Sequence, residues 1–164
     1  MTVIREYFKQ LLTWGPVVIA FNGIVGSVAV VEGRSMQPTL NPVESNQTRD
    51  RVILDKASVQ VFHRYKRGQL VVLTAPDDKS TSIIKRLIAI EGDWLRDRNG
   101  HYIHIPRGKC WVEGDNAAFS EDSESLYGPI PLALIQARVI GVVWPPSRIQ
   151  SITEYVPPNR VNCW

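Results

Sequence analysis

The hydrophobic and polar positions of this chain separate a long uncharged run near the N-terminus from a series of shorter apolar stretches. From Trp14 to Val31 there are eighteen residues without a charge, close to the roughly 20 residues that span a membrane as a helix. Arg5 and Lys9 precede the run, so the positive-inside rule places the residues after Glu32 on the opposite side. The pattern predicts one N-terminal transmembrane helix. A buried helix or a cleaved signal sequence is the alternative.

After this run, short stretches rich in Val, Ile and Leu alternate with turn residues, as is typical of β-strands. Asn99-Gly100 lies between two of these stretches and predicts a tight hairpin. Short, closely spaced strands indicate a mainly β domain, built as a barrel or a folded sheet with one interior. The predicted strands are 51–55, 69–74, 82–90, 93–97, 101–105, 109–113 and 138–144.

One further segment, 132–137, has helical character and follows a proline suited to the first turn of a helix. From Pro145 onward, paired prolines indicate an extended surface segment. The chain therefore divides into two parts. Residues 1–32 carry the anchor, with its span at about 14–31, and residues 33–164 form the β domain with a Pro-rich tail.

Composition excludes several classes of protein. The 164 residues carry a net charge of +3, are 44% hydrophobic and contain no block of Lys and Arg, which argues against a nucleic-acid partner. Only two cysteines occur, Cys110 and Cys163, so we expect no disulfide that activity requires. His101 and His104 face opposite sides of one predicted strand, which argues against a shared metal. No metal and no cofactor are predicted.

Lys85 is the first candidate for chemistry. In the predicted strand 82–90, Lys85 and Arg86 point to opposite faces, each among apolar neighbours. One of the two must be largely desolvated, or must reach solvent at a sheet edge. Burial lowers the pKa of a lysine, whereas an arginine stays charged, so Lys85 is the better interior residue. Two basic residues at an edge or in ion pairs are the structural alternative.

A neutral lysine can take the proton of a serine hydroxyl and so activate a nucleophile. Ser35 lies in the turn-rich stretch 31-VEGRSMQPTLNP-42, directly after the uncharged run. No histidine is placed for a conventional catalytic triad. The residues therefore suggest a Ser–Lys pair, with a simple turn leading out of the membrane as the alternative for this stretch.

Four stretches resemble the conserved boxes of one family. The stretch 33-GRSMQPTL-40 resembles the Ser-Met-x-Pro-Thr box of the type I signal peptidases, and 67-RGQLVVL-73 resembles their Arg-Gly-Asp box, with Gln69 in place of Asp. The stretch 84-IKRLIAIEGD-93 resembles the box of the general-base lysine, and 114-GDNAAFSEDSESLYGPI-130 resembles the Gly-Asp-Asn box. The resemblance implies a signal-peptidase-like folded β-sheet and a serine endopeptidase that needs no cofactor.

Carried over by position, the resemblance implies that Ser35 attacks the scissile carbonyl and that Lys85 is the general base. It gives Ser120 the task of orienting the lysine amine, and we assign Asp122 to holding the site together. A plain Asp- and Ser-rich turn over 120–125 is the alternative for both of these residues.

Three further residues of the boxes would have a structural or substrate-facing part. Met36 and Pro38 would shape the serine loop and the substrate wall, and Asn116 belongs to a Gly-Asp-Asn sequence that also forms a sound turn. Gly33 stands where some bacterial relatives have a serine that donates a hydrogen bond to the oxyanion. Backbone N–H groups would therefore be the donors to the oxyanion here. Glu124 replaces the arginine of the bacterial Asp-Ser-Arg.

In its short length, its missing box arginine and its stretch 143-VWPP-146, the chain resembles the mitochondrial inner membrane branch of this family. Within that branch it resembles the subunit type that lacks the box arginine. This resemblance implies a single-pass protein of the mitochondrial inner membrane with its catalytic domain in the intermembrane space. It also implies a heterodimer with subunit 1 and, as substrates, precursors with bipartite presequences. Alternatives are a bacterial-type or organellar signal peptidase, a repressor-type Ser–Lys autoprotease, and a non-catalytic subunit that stabilises an active one.

Overall fold

The computed structural model describes residues 26–42 and 48–162. Most of the predicted membrane span, residues 14–25, lies outside these ranges. Its last part is corrected by the structure, because Gly26–Val30 is a β-strand that pairs antiparallel with Arg51–Asp55. Among the described residues, no helix is long and apolar enough to cross a membrane.

The described ranges contain strands joined almost entirely by turns, so the predicted mainly β class is confirmed. All strand pairs are antiparallel. The strands are β1 Gly26–Val30, β2 Arg51–Asp55, β3 Leu70–Thr74, β4 Ser82–Ile90, β5 Trp94–Arg96, β6 Tyr102–His104, β7 Lys109–Glu113, β8 Ile130–Pro131, β9 Ile135–Trp144, β10 Gln150–Ser151 and β11 Val161–Asn162, with one short helix, α1, at Ala57–Gln60.

The strands form two sheets. The larger runs in the order β1-β2-β9-β3-β4-β7-β8, with β10 added beside β9, and the smaller runs β11-β5-β6. In the described residues the large sheet is therefore an open path rather than a closed barrel. The β5–β6 hairpin turns at Gly100, whose φ of 90° suits glycine, as the Asn-Gly signal predicted.

The apolar core lies on both faces of the large sheet, because β3 is buried on both sides. Leu70 and Val72 belong to one cluster with Met36 and Leu40, whereas Val71 and Leu73 belong to a second cluster with Leu87 and Val112. A third cluster around Leu95 and Trp111 lies against the small sheet. The expectation of a single interior was wrong, since a continuous apolar strand supplies side chains to two clusters.

Two segments differ from their predicted structure. Residues 132–137 do not form an α-helix: Leu132–Leu134 is one 3-10 turn, and β9 already begins at Ile135 because it pairs with β3 there. The Pro-rich tail is mostly exposed, but it is more than a surface segment. It supplies β10 to the large sheet and β11 to the small one.

Candidate active site

The loop that carries Ser35 follows β1 directly and is held from below. Met36 and Leu40, on either side of the turn, are buried in the core, and the Leu40 amide donates to the Met36 carbonyl over 2.9 Å. Ser35 itself is half-buried at the start of this turn. The turn thus places a hydroxyl near the surface on a backbone that apolar contacts anchor.

The base of the loop is closed by two residues that the sequence did not single out. The Asn41 side chain donates to the Val31 carbonyl over 2.9 Å and accepts from the amide of Asp50 over 2.8 Å. Asp50 is fully buried, and its carboxylate accepts from the Asn41 amide over 2.8 Å. Asn41 has a φ of 48°, a conformation that asparagine tolerates better than most residues. An Asn-Pro pair after the box was the available signal.

Lys85 lies on β4 opposite Val71 and is 4% exposed. Its amine donates to the Ser120 hydroxyl over 2.8 Å. Burial lowers the pKa of the Lys85 amine, and the negative charges of Asp122 and Glu121 offset only part of that effect. The site therefore shifts the amine toward its neutral form, which is the form that can accept a proton.

Ser120 is joined to Lys85 by a hydrogen bond, and Asp122 organises the turn that follows it. The Asp122 carboxylate accepts from the Gly114 amide over 2.9 Å and from the amides of Glu124 and Ser125, which cap the short π-helical turn Ser123–Tyr127. Burial raises the pKa of Asp122, but hydrogen bonds from Gly114, the Ser120 hydroxyl and Ser125 bring it below its ordinary value. A charged Asp122 is thus held near Ser120 and Lys85.

Gly114 is the contact point between this group and the serine loop. A Cβ added at Gly114 would lie 2.2 Å from the Ser120 hydroxyl oxygen and 2.7 Å from the Ser35 carbonyl oxygen. That carbonyl also accepts from the Asn116 amide over 2.9 Å. Asn116 therefore ties the loop in place through its backbone. Ser120, which binds the Lys85 amine, and the backbone of Ser35 thus both approach a residue that has no side chain, and sequence reasoning overlooked Gly114 as the reason.

Arg86, the neighbour of Lys85, is also buried, at 5% exposure. The prediction that only one of the two would be interior was wrong. The Arg86 guanidinium forms a bidentate pair with Asp115, at 2.7 and 2.6 Å, and donates to the Gly68 carbonyl over 2.7 Å. Asp115 also accepts from the Thr39 hydroxyl over 2.6 Å. This pair connects the lysine strand to the serine loop from behind.

The other boxes stabilise the same frame. Arg67 binds both oxygens of the buried Asp93 carboxylate, at 2.7 and 2.6 Å, and so joins two boxes. Gln69, which replaces the usual Asp, is buried and donates to Glu154 of the tail over 2.9 Å. A carboxylate is therefore still present beside position 69, but it belongs to Glu154 of the C-terminal segment.

A cavity of about 660 Å³ lies behind the site, on the Arg86 side of β4. Pro38, Thr39 and Asp115 line it together with tail residues such as Arg148 and Arg160. Pro38 therefore faces this cavity, whereas Met36 packs in the core beneath the loop. In the part of the chain that the structure describes, no cluster of His, Cys, Asp and Glu could hold a metal ion.

The β domain carries a serine loop, a buried lysine and the four sequence boxes in their expected order. This combination defines a class of protein. The family described as "Signal peptidase, peptidase S26" matches residues 4–103. The chain belongs to this family of peptidases.

Its relatives narrow the class. The chain is 43% identical over 158 residues to mitochondrial inner membrane protease subunit 2 of Mus musculus, covering 95% of this chain and 89% of that protein. It is 36% identical over 140 residues to subunit 2 of Saccharomyces cerevisiae, covering 84% and 78%. Human subunit 1 is 37% identical over 128 residues, covering 75% and 72%. The predicted resemblance to the subunit type without the box arginine is confirmed.

Among solved structures, a signal peptidase I from Enterococcus faecalis is similar, with a TM-score of 0.40 and 18% identity. The match covers 46% of this chain and 96% of that chain.

Proposed function

We propose that the protein is a membrane-anchored serine endopeptidase that removes sorting or signal sequences from proteins delivered to the mitochondrial intermembrane space. Ser35 is the nucleophile and Lys85 the general base. The observation that carries this proposal is the buried Lys85 amine, which donates to Ser120 over 2.8 Å beside the serine loop. A lysine that is desolvated without a directly bonded carboxylate is suited to proton transfer rather than to charge pairing.

The hydrogen-bond directions around Ser120 support this assignment. The Ser120 hydroxyl oxygen accepts from the Lys85 amine over 2.8 Å. One N–H of the amine is therefore directed at Ser120, and the nitrogen lone pair of the neutral amine is left for another proton. Ser120 is a positioning residue in this scheme.

The reaction proceeds in two halves. The Lys85 nitrogen takes the proton of the Ser35 hydroxyl while the Ser35 oxygen attacks the scissile carbonyl. The resulting ammonium then returns that proton to the leaving amine, and the acyl-enzyme forms as the C–N bond breaks. A water molecule, deprotonated by Lys85 in the same way, releases the acyl group and regenerates Ser35. Backbone N–H groups of the serine loop stabilise the oxyanion, in agreement with the glycine at position 33.

The strand edges beside the site support an extended substrate. β1 is the terminal strand of the large sheet and leads into the serine loop. On β4, pairing with β7 begins only at Arg86. Within the described residues, the edge of the stretch 82–85 that faces away from β3 therefore has no partner strand, and Lys85 belongs to this stretch. A peptide that adds to such an edge through main-chain hydrogen bonds presents its carbonyl groups at regular intervals.

The relatives and the uncharged run support the cellular setting that we propose. Residues 14–25 form the main part of a single membrane anchor, and the catalytic domain faces the intermembrane space. The names of the relatives support the mitochondrial inner membrane as its location and a subunit 1 protein as its heterodimer partner. Anchoring confines enzyme and precursor to one membrane and so raises their effective concentration.

The test compares cleavage of a precursor with a bipartite presequence by the full chain, purified with its subunit 1 partner, and by variants. Ser35→Ala should reduce turnover by about 1,000-fold or more. Lys85→Arg and Lys85→Met should do the same, because guanidinium cannot release its proton and a thioether cannot accept one. Ser120→Ala should cost about 100-fold, mainly in kcat, since the base survives but is poorly oriented. New N-termini are identified by mass spectrometry.

Matched controls use exposed residues of the same types, Ser147→Ala and Lys79→Met, which should cleave normally. Thermal unfolding of every variant separates loss of chemistry from loss of fold. An active Lys85→Arg enzyme would exclude the dyad. Full cleavage by Ser35→Ala, traced to the partner subunit, would leave this chain a stabilising component only.

A further inference from the structure

The loop after α1 displays two apolar side chains to solvent. Val61 is 53% exposed and Phe62 is 59% exposed. Large exposed apolar residues next to each other are uncommon unless something covers them.

The backbone of this loop is firmly held. The amides of Phe62, His63 and Arg64 donate to carbonyls of residues 57–59 over 3.1, 3.2 and 2.8 Å. His63 adopts a φ of 48°, which costs energy for a residue other than glycine. The exposed pair therefore projects from a fixed turn, and its exposure does not result from a loosely held chain.

The surroundings of the apolar pair are basic. The Arg64 guanidinium lies over the Phe62 ring, 5.3 Å from its centroid, within the roughly 6 Å of a cation–π contact. His63 and Lys66 are exposed next to it, although Lys66 also reaches Glu154 at 3.9 Å. The nearest acid along the chain, Asp55, is bound by Arg138 and Ser58. An apolar tip with a cationic rim matches the surface of an anionic bilayer.

The position of the loop points to the same occupant. Gly26, where the preceding 25 residues enter the domain, pairs with Asp55 at the end of β2. The Asp55 carboxylate accepts from the Ser58 amide in the first turn of α1, and this four-residue helix, about 6 Å long at 1.5 Å per residue, is followed directly by Val61 and Phe62. The loop is thus next to the point where the uncharged N-terminal run joins the sheet.

We propose that residues 61–64 form a second membrane contact, in which Val61 and Phe62 enter the interface of an anionic bilayer and Arg64 binds lipid phosphate. This inference rests on the proposed function in one respect, the membrane anchor in residues 14–25. The contact would fix the rotation of the domain about its anchor and so the height of the active site above the membrane.

The experiment uses the full chain in vesicles, with an NBD fluorophore on Phe62→Cys in a Cys163→Ser background. Cys110 does not interfere, because it is buried and burial raises the pKa of its thiol to about 12. Vesicles contain phosphatidylcholine with about one fifth cardiolipin, or phosphatidylcholine alone, and lipids with a nitroxide at a shallow chain position quench the label. The matched control places the label on Tyr102→Cys, an equally exposed aromatic position in the small sheet.

We expect at least about twofold quenching at position 62 in cardiolipin vesicles, less without cardiolipin or with Arg64→Gln, and none at position 102. Equal quenching at positions 62 and 102 would overturn the proposal. A label at position 62 that nitroxide lipids do not quench, but that becomes shielded from water when subunit 1 is added, would also overturn the proposal, in favour of a protein contact. Cleavage in detergent is measured in parallel, and Phe62→Ser should cleave normally. A wild-type chain without any cleavage would refute the proposed function. The quenching result, and with it the membrane contact, would still stand.

Discussion

Two adjacent basic residues show how one strand treats two buried charges differently. The buried Arg86 guanidinium is paired with the Asp115 carboxylate through two hydrogen bonds. Lys85 has a neutral hydroxyl, Ser120, as its hydrogen-bond partner, so burial acts mainly on the amine. A guanidinium that cannot be deprotonated needs a carboxylate when it is buried, whereas an amine can lose its proton instead.

The first prediction at this scale concerns pH. The neutral amine is the active form, so cleavage should rise with pH through the lowered pKa of Lys85. In the unfolded chain Lys85 keeps its proton up to its ordinary pKa of 10.5, so the unfolded state binds more protons between the two pKa values. Stability of the wild type should therefore rise with pH in that window and be lowest below it.

Lys85→Met removes this titration. Its Tm should be equal to or above that of the wild type at pH below the lowered pKa, and the difference should shrink as pH increases. Thermal unfolding across a pH series measures it, with Lys79→Met as the exposed control. A Lys85→Met chain that is less stable than the wild type in mild acid would show that Lys85 acts as a charged structural partner.

At the scale of elements, the site depends on the close approach of three segments. β4 carries the lysine, the loop after β1 carries Ser35, and the turn after β7 carries Ser120. The last two meet at Gly114, where a side chain would overlap Ser120 and the Ser35 carbonyl, and Lys85 joins them through its hydrogen bond to Ser120. This approach explains why the Gly-Asp-Asn box begins with glycine although this Gly114 does not adopt a positive φ.

Gly114→Ala tests this approach against a matched variant. Its Cβ would lie 2.2 Å from the Ser120 oxygen, whereas the Cβ of Gly141→Ala would lie 2.6 Å from the Gln150 carbonyl, in the pairing of β9 with β10. Both should destabilise the fold by about 1–3 kcal/mol through overpacking. Only Gly114→Ala should also lose about 100-fold in kcat, since small displacements of reacting groups are that costly. Equal activity of the two folded variants would contradict the arrangement.

At the scale of the whole molecule, the C-terminal tail joins the two sheets behind the site. It pairs with β9 through β10 and with β5 through β11. Between these strands, Arg160 binds Glu113 at the end of β7 and also Glu124, at 3.1 Å, in the π-helical turn. Glu124 thus occupies the position of the arginine in the bacterial Asp-Ser-Arg, and its basic partner, Arg160, comes from the tail.

The prediction at this scale concerns topology. With the proposed anchor, a C-terminal tag on the domain should resist added protease in intact mitochondria and be digested once the outer membrane is ruptured. A matrix protein in the same samples should stay protected and so reports that the inner membrane is intact. Persistent protection of the tag after rupture would place the domain in the matrix.

Local pattern alone was sufficient for much of the sheet. The runs at 51–55, 82–90 and 109–113 match β2, β4 and β7 residue for residue, because side-chain alternation and bounding turn residues are properties of neighbours in the chain. The boxes likewise singled out Ser35, Lys85, Ser120 and Asp122 as candidates without reference to the fold. Of these, the structure joins Lys85 to Ser120 by a hydrogen bond.

What depends on partners distant in the chain was decided only by the tertiary structure. Residues 26–30 read as part of an uncharged span until pairing with β2 makes them a strand, and Ile135 joins β9 rather than a helix because β3 lies beside it. The burial of Arg86 required Asp115, 29 residues away, and Gln69 required Glu154. A single sequence specifies the local preference of each residue, but the free energy of a buried charge or an added strand is set by the group it meets, and only the folded chain brings that group into contact.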